Sequence, residues 1–298
     1  MKQAPSRSNV PIAVVVSAIV VIVAAAAIAV AGAITVGVTW DERVQVYMLQ
    51  VFFDSGWHTS APLIAGVPDP AYYFGTYVYG PVGELLPHLV NALLGNADFL
   101  TTAPVTPEAY VGRHLGVVLW GLIGIAATGS TVAIITRSWR WGLVGASILA
   151  STPLWTGHSM FNIKDTPAAT GYMLFTLGFV TLLDRDYFRA RWLRVTSLLT
   201  LTGGLVVAIG TRTALFLPLV LTFIGGWLFV LIIRWRRERN TGEEFRLGRR
   251  VLEGLGAYVL AYVILVLVYP KAFLNPIEVG AKSILDSALY PVNEAQLV

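Results

Sequence analysis

Charge is absent from the chain over long intervals and returns in short clusters between them. Seven runs are apolar over a length that approaches a bilayer crossing: residues 10–38, 114–137, 141–155, 167–183, 195–210, 213–233 and 252–268. A helix needs roughly 20 apolar residues to cross a hydrocarbon core of about 30 Å, so the pattern predicts about seven spans. The run at 195–210 is short and rich in Gly and Thr. The run at 10–38 follows Lys2 and Arg7, as a signal peptide would. Its apolar stretch is about twice the usual signal length, so it reads as a span.

Between the first two long runs lies a mixed segment. Val44, Tyr47, Met48, Val51 and Phe52 fall at helical spacing and predict an amphipathic helix on the membrane surface. Residues 79–94 are apolar but interrupted by Gly80, Pro81, Gly83, Glu84, Pro87 and His88. They predict a peripheral or re-entrant element, since an eighth span here would invert everything downstream. The fold class expected is an all-α polytopic membrane protein with amphipathic surface helices in its first outer loop. Residues 1–298 form one membrane domain, residues 40–112 are the outer loop, and residues 276–290 form an interfacial helix.

Composition agrees. Of 298 residues, 56% are apolar and 13% charged, against roughly 25% charged in soluble domains. The net charge of +4 does not indicate nucleic acid, because the basic residues cluster at span ends. With the amino terminus in the cytoplasm, most of the 21 basic residues fall inside, in the tail and in loops 137–140, 184–194 and 234–250. Only Arg43, Arg113, Lys164, Arg212, Lys271 and Lys282 fall outside. The absence of cysteine excludes disulfides and thiolate chemistry, and His58, His88, His114 and His158 show no zinc-type spacing.

Candidate chemistry gathers on the outer side. Asp41 and Glu42 follow the first span at once, where they could act as a general base, hold a divalent cation, or remain solvated interfacial charges. The second outer loop carries His158, Asn162, Lys164 and Asp165; Asp165 could serve a site or cap the helix that Pro167 opens. Arg212 interrupts a run that is otherwise uncharged from 195 to 233, which points either to a phosphate partner or to a tight outer turn. Arg113 and His114 read as interfacial anchors or phosphate contacts. Tyr72, Tyr73, Phe74, Tyr77 and Tyr79 are a belt-like aromatic cluster that could also pack against sugar or prenyl groups.

The order Asp41-Glu42, Tyr73-Phe74-Gly75, Tyr79-Gly80-Pro81, Arg113, Asn162-Ile163-Lys164-Asp165-Thr166-Pro167, Tyr269-Pro270 and Asn275-Pro276 resembles the polyprenyl-phosphate-dependent glycosyltransferases of the GT-C superfamily. Protein O-mannosyltransferases and lipid A aminoarabinose transferases belong to it. The resemblance implies a GT-C-like bundle in the plasma or inner membrane, a lipid-linked sugar donor, and an active site on the outer face. It implies Asp41 as general base or acceptor-orienting group and Asp165 in the donor and metal region, with a divalent cation as the one cofactor to consider. From charge and side rather than from the resemblance, Lys164 and Arg212 would offset the donor phosphate, and Glu42, Asn162, Arg113 and His158 are further substrate-binding candidates; the resemblance assigns no role to His158. Members usually continue for several more spans, so a fragment, a truncated product or a minimal module is expected, the seven-span count agreeing with their shared amino-terminal module. Rival expectations are a transporter or lipid flippase, which would need ionisable groups along an internal pathway, and a non-catalytic scaffold working with a partner subunit.

Overall fold

The computed structural model describes residues 10–59, 77–95, 107–184, 187, 190–241 and 247–288. Tyr72, Tyr73, Phe74 and Gly75 lie outside the described residues, as do the amino-terminal tail and residues 289–298.

Twelve α-helices are described. The first, α1 (Ile12–Thr35), is uncharged and about 36 Å long by its residue count. It exposes Ile12, Val16, Ile19, Val20 and Val23 and buries mainly alanines, so small residues face the protein and branched ones face lipid. Then follow α2 (Trp40–Ser55), α3 (Val82–Leu93), α4 (Val111–Thr136), α5 (Trp139–Ala150), α6 (Pro153–His158), α7 (Asp165–Leu183), α8 (Arg191–Thr211), α9 (Phe216–Thr241), α10 (Leu247–Val268), α11 (Pro270–Phe273) and α12 (Pro276–Ala288). No strand occurs among the described residues. One isolated antiparallel bridge joins Tyr79 to Arg212.

Among the described residues, six helices are long and apolar enough to cross a membrane: α1, α4, α7, α8, α9 and α10. The protein is an integral membrane protein. The seventh expected span, 141–155, does not form a continuous helix; it breaks between α5 and α6. Pro153 has no N–H to donate and disfavours helical geometry at the residue before it, and Thr152 is accordingly extended, with φ −75° and ψ 112°. The two short helices still carry the chain back along α1. Arg140 donates to the Val10 carbonyl at the start of α1, and Met160 packs beside Gly32 near its end.

Two further expectations need correction. The helix α2 does not merely rest on a surface: Gln45, Val46, Met48 and Leu49 are buried in protein, and Phe52 stacks edge-on against Tyr269. Of the two alternatives for 79–94, peripheral or re-entrant, the peripheral one does not hold. The 12-residue α3 is too short to span, but Val82, Gly83, Glu84, Pro87 and Asn91 are buried, and the helix is wedged between α4 and α8. Trp120 of α4 donates to the Gly83 carbonyl at 3.0 Å.

The largest interhelix contact is α7 against α8. It depends on glycine: a Cβ on Gly204 would lie 2.3 Å from the Phe175 backbone nitrogen, so the two backbones approach as small-residue seams allow. The core around this pair is aromatic. Phe175, Phe179, Phe223, Trp227 and Tyr258 meet at ring separations of 4.7 to 6.3 Å.

The bundle has two chemically different ends. At one, Arg137 pairs with Asp184 at 2.7 Å, Arg194 with Glu253, and Arg250 donates to the Leu182 and Asp184 carbonyls. The opposite end holds Asp41, Arg113, the 158–165 loop and Arg212.

Candidate functional site

Helix α2 begins with a capping box. The Thr39 side chain accepts from the Glu42 N–H, and Glu42 Oε2 accepts from the Thr39 N–H at 2.6 Å. This places Asp41 and Glu42 in the first turn, pointing about 100° apart around the axis. Asp41 faces outward and Glu42 faces the bundle.

The 158–165 loop is organised by Asn162. Its Oδ1 accepts the backbone N–H of Asp165 at 2.8 Å and that of Lys164 at 3.3 Å. The cap on α7 is therefore an Asx turn from Asn162, not the Asp165 carboxylate. That frees Asp165, the first residue of α7, for other partners. Asn162 Nδ2 bridges Asp165 Oδ2 at 3.0 Å and His158 Nδ1 at 2.7 Å.

Two acid–cation pairs result. Lys164 Nζ lies 2.5 Å from Asp41 Oδ2, and Arg212 pairs with Asp165 Oδ1. Tyr79 sits between the cations, with Lys164 Nζ 5.2 Å and the Arg212 guanidinium carbon 5.3 Å from its ring centre. The backbone holds this arrangement, because Gly80 N–H donates to the Thr211 carbonyl and Thr213 N–H to the Val78 carbonyl. Gly80 is required there, since a Cβ would lie 2.4 Å from the Gly210 carbonyl oxygen. Burial pushes the Lys164 ammonium down, but hydrogen bonding to Asp41 and the fields of Tyr79, Asp41 and Asp165 outweigh it and leave Lys164 above its ordinary value.

Asp41 is 60% exposed, while the side chains of Asp165 and Arg212 are 39% and 35% exposed. All three can meet a ligand. Asp165 and Arg212 also head an open groove of about 490 Å³ whose other walls are Ala168, Ala169, Tyr172, Met173 and Leu215. Along α7 those residues recur at i, i+3, i+4, i+7 and i+8, one face of the helix. The groove thus has an ionic head and an apolar trough.

Below this layer is a buried one that the sequence did not reveal. Glu42 Oε1 lies 2.5 Å from His114 Nε2, and both side chains are almost fully enclosed. His114 Nδ1 is 3.0 Å from the Ala33 carbonyl. A carbonyl can only accept, so Nδ1 carries a hydrogen and the Glu42–His114 contact shares one more proton. Glu42, expected to touch substrate, is instead consumed by Thr39 and His114. Arg113, expected as an anchor or phosphate contact, is 1% exposed and within the electrostatic reach of Glu84. His58 Nε2 lies 3.0 Å from Glu84 Oε1, and the His58 N–H donates to the Tyr269 hydroxyl. Burial raises the Glu84 carboxyl, against the opposing fields of His58, Arg113 and Lys164. Glu84 was visible in the sequence only as an acid interrupting an apolar stretch.

No family model, curated protein or solved structure matches the chain. A divalent cation fits the geometry of the site poorly: Asp41 and Asp165 each face a cation, and among the described residues no group of three or more His, Asp or Glu side chains is arranged to hold a metal. The arrangement is suited instead to an anion, with two cations flanking one ring and two carboxylates beside them.

Proposed function

We propose that the protein is a membrane glycosyltransferase that moves a sugar from a polyprenyl-phosphate donor to an acceptor at the outer face of the membrane. The observation that carries this reading is the amphiphilic groove: Arg212 and Asp165 at its head, an apolar trough along α7 below, and the Asp41–Lys164 pair beside the head. A phosphate on a long hydrocarbon chain has the same division of character. The order of motifs that resembles the GT-C superfamily supports the assignment of roles.

In this reading the prenyl chain lies along Ala168, Ala169, Tyr172 and Met173, and the phosphate draws Lys164 and Arg212 from their carboxylate partners. Asp41, released, accepts the proton of the acceptor hydroxyl as its oxygen attacks the anomeric carbon. The carbon–oxygen bond to phosphate breaks with its electron pair remaining on the phosphate oxygen. The two cations offset that charge, and the sugar is delivered with inversion. His158 and Asn162 hold Asp165 in place. The amino terminus is cytoplasmic in this scheme, with the Arg137 end inside.

The test is transfer by the purified protein in nanodiscs supplied with a polyprenyl-phosphate-linked sugar, with product read by mass spectrometry. No transfer from any such donor to sugar, lipid or peptide acceptors overturns the reading. Sidedness is tested with single cysteines, since the chain has none. Ser55→Cys should react with an impermeant maleimide from outside, and Thr136→Cys only after the membrane is opened.

One observation favours a transporter as the second reading: Glu42, Glu84, Arg113 and His114 are ionisable and buried inside the bundle. Substrate flux in proteoliposomes, in the absence of transfer, would establish it.

A further inference from the structure

A second apolar space lies apart from the groove just described. It is a cavity of about 250 Å³ bounded by α8, α10, α12 and the turn at Thr213–Leu215, with Leu205, Ile209, Ala261, Leu265, Phe273 and Val279 in its wall. Three hydroxyls also reach the wall. Each is already used: Thr213 donates to the Tyr77 carbonyl, Tyr258 to the Leu219 carbonyl at 3.1 Å, and Tyr262 to the Phe273 carbonyl at 2.5 Å. A polar ligand or a cluster of waters would find no free donor there, whereas a buried water needs two to four partners.

Size narrows the occupant further. An engineered apolar cavity of about 150 Å³ takes benzene, so this one has room for about ten carbons. An α-helix, about 10 Å across, does not fit inside it. Access is lateral: Phe216 and Tyr262 line the cavity and are also exposed on the flank of the bundle, beside Leu217, Val259 and Val263, which face lipid. A chain arriving from the bilayer meets no polar surface on the way.

We propose that this cavity is a binding site for one hydrocarbon chain of a bilayer phospholipid, seated behind the turn that carries Arg212. The site is separate from the groove under Asp165, and it does not depend on the transferase reading. Its position has a mechanical consequence. Thr213 and Phe216 form part of the wall and flank the turn that follows Arg212, while α9 buries only Leu219, Phe223 and Trp227 among its described residues. A bound chain supplies packing that the start of α9 otherwise lacks, and it holds the turn in register with Tyr79.

The test uses the protein in phosphatidylcholine nanodiscs doped with a phosphatidylcholine that carries a diazirine at mid-chain. Illumination should label Tyr258 and Phe273 in the cavity wall in addition to the lipid-facing Leu228 and Val259. Two variants fill the cavity. Gly280→Phe is tolerated sterically, because a Cβ at Gly280 meets nothing within 4 Å; Ala261→Leu approaches from the opposite wall. Both should reduce cavity labelling to background while leaving Leu228 and Val259 labelled as before. The proposal is overturned if the cavity residues are not labelled, or if both monodisperse variants are labelled like the parent. It is also overturned if a diazirine-bearing polyprenyl phosphate labels the cavity and the phospholipid does not, since the space then belongs to the donor chain.

Discussion

Lys164 Nζ lies 2.5 Å from Asp41 Oδ2, tying the start of α7 to the start of α2 across 123 positions of chain. Asp41 is 60% exposed and Lys164 16%. Exposed ion pairs contribute about 0–1 kcal/mol to stability. The solvent-facing Asp41 therefore carries little structural duty and is free to exchange partners with a ligand.

Asp41→Asn and Asp165→Asn should each lower sugar transfer by about 100-fold or more, the usual contribution of a positioned acid or base. Expression and the elution profile in detergent should stay as in the parent. Full transfer by both variants would show that the chemistry lies elsewhere.

Arg212→Lys keeps the charge but loses the planar fork that grips phosphate at two points. A charge-assisted hydrogen bond is worth about 1.5–3 kcal/mol, so donor affinity should weaken by about tenfold or more, and Arg212→Gln should weaken it further. Titration of the nanodisc-embedded protein with a short-chain polyprenyl phosphate measures this. Equal affinity for Arg212→Gln and parent would remove the phosphate from Arg212.

His114→Ala should behave differently from every variant at the exposed layer. It leaves Glu42 buried without its partner, and breaking such a pair costs about 3–5 kcal/mol. The expected result is a clearly lower thermal midpoint in detergent, set against an unchanged midpoint for Asp41→Asn. If the two variants melted together, the division into a ligand-facing layer and a structural layer would be wrong.

Glu84 should impose a pH dependence. Its folded carboxyl is raised above the unfolded value of 4.5, so the folded state holds that proton more tightly. The resulting stability is complete below 4.5 and disappears as pH rises through the folded value, where an enclosed carboxylate must form. Glu84→Gln cannot ionise. Thermal midpoints measured from pH 4 upward should therefore move in the variant's favour as pH increases, and a constant difference across the range would refute the assignment.

The spans were legible because apolar run length is a local property, and 24 uncharged residues in α1 admit few other fates. The break between α5 and α6 was also written locally, in Thr152-Pro153, but hydropathy averages over a proline that backbone geometry cannot ignore. Charge returning between apolar runs marked Asp41, Lys164, Asp165 and Arg212 as candidates on one side, and the fold brings all four to one end of the bundle.

What the linear order could not say is which side chains turn inward. Asp41 and Glu42 are neighbours of the same type, and a helix separates them by about 100°. Only the packing of α2 against α4 decides that Glu42 meets His114 while Asp41 reaches Lys164. The same holds for His58 and Glu84, and for the hydroxyls of Tyr258 and Tyr262: their partners are set by contacts between distant segments, which a periodicity along the chain does not encode.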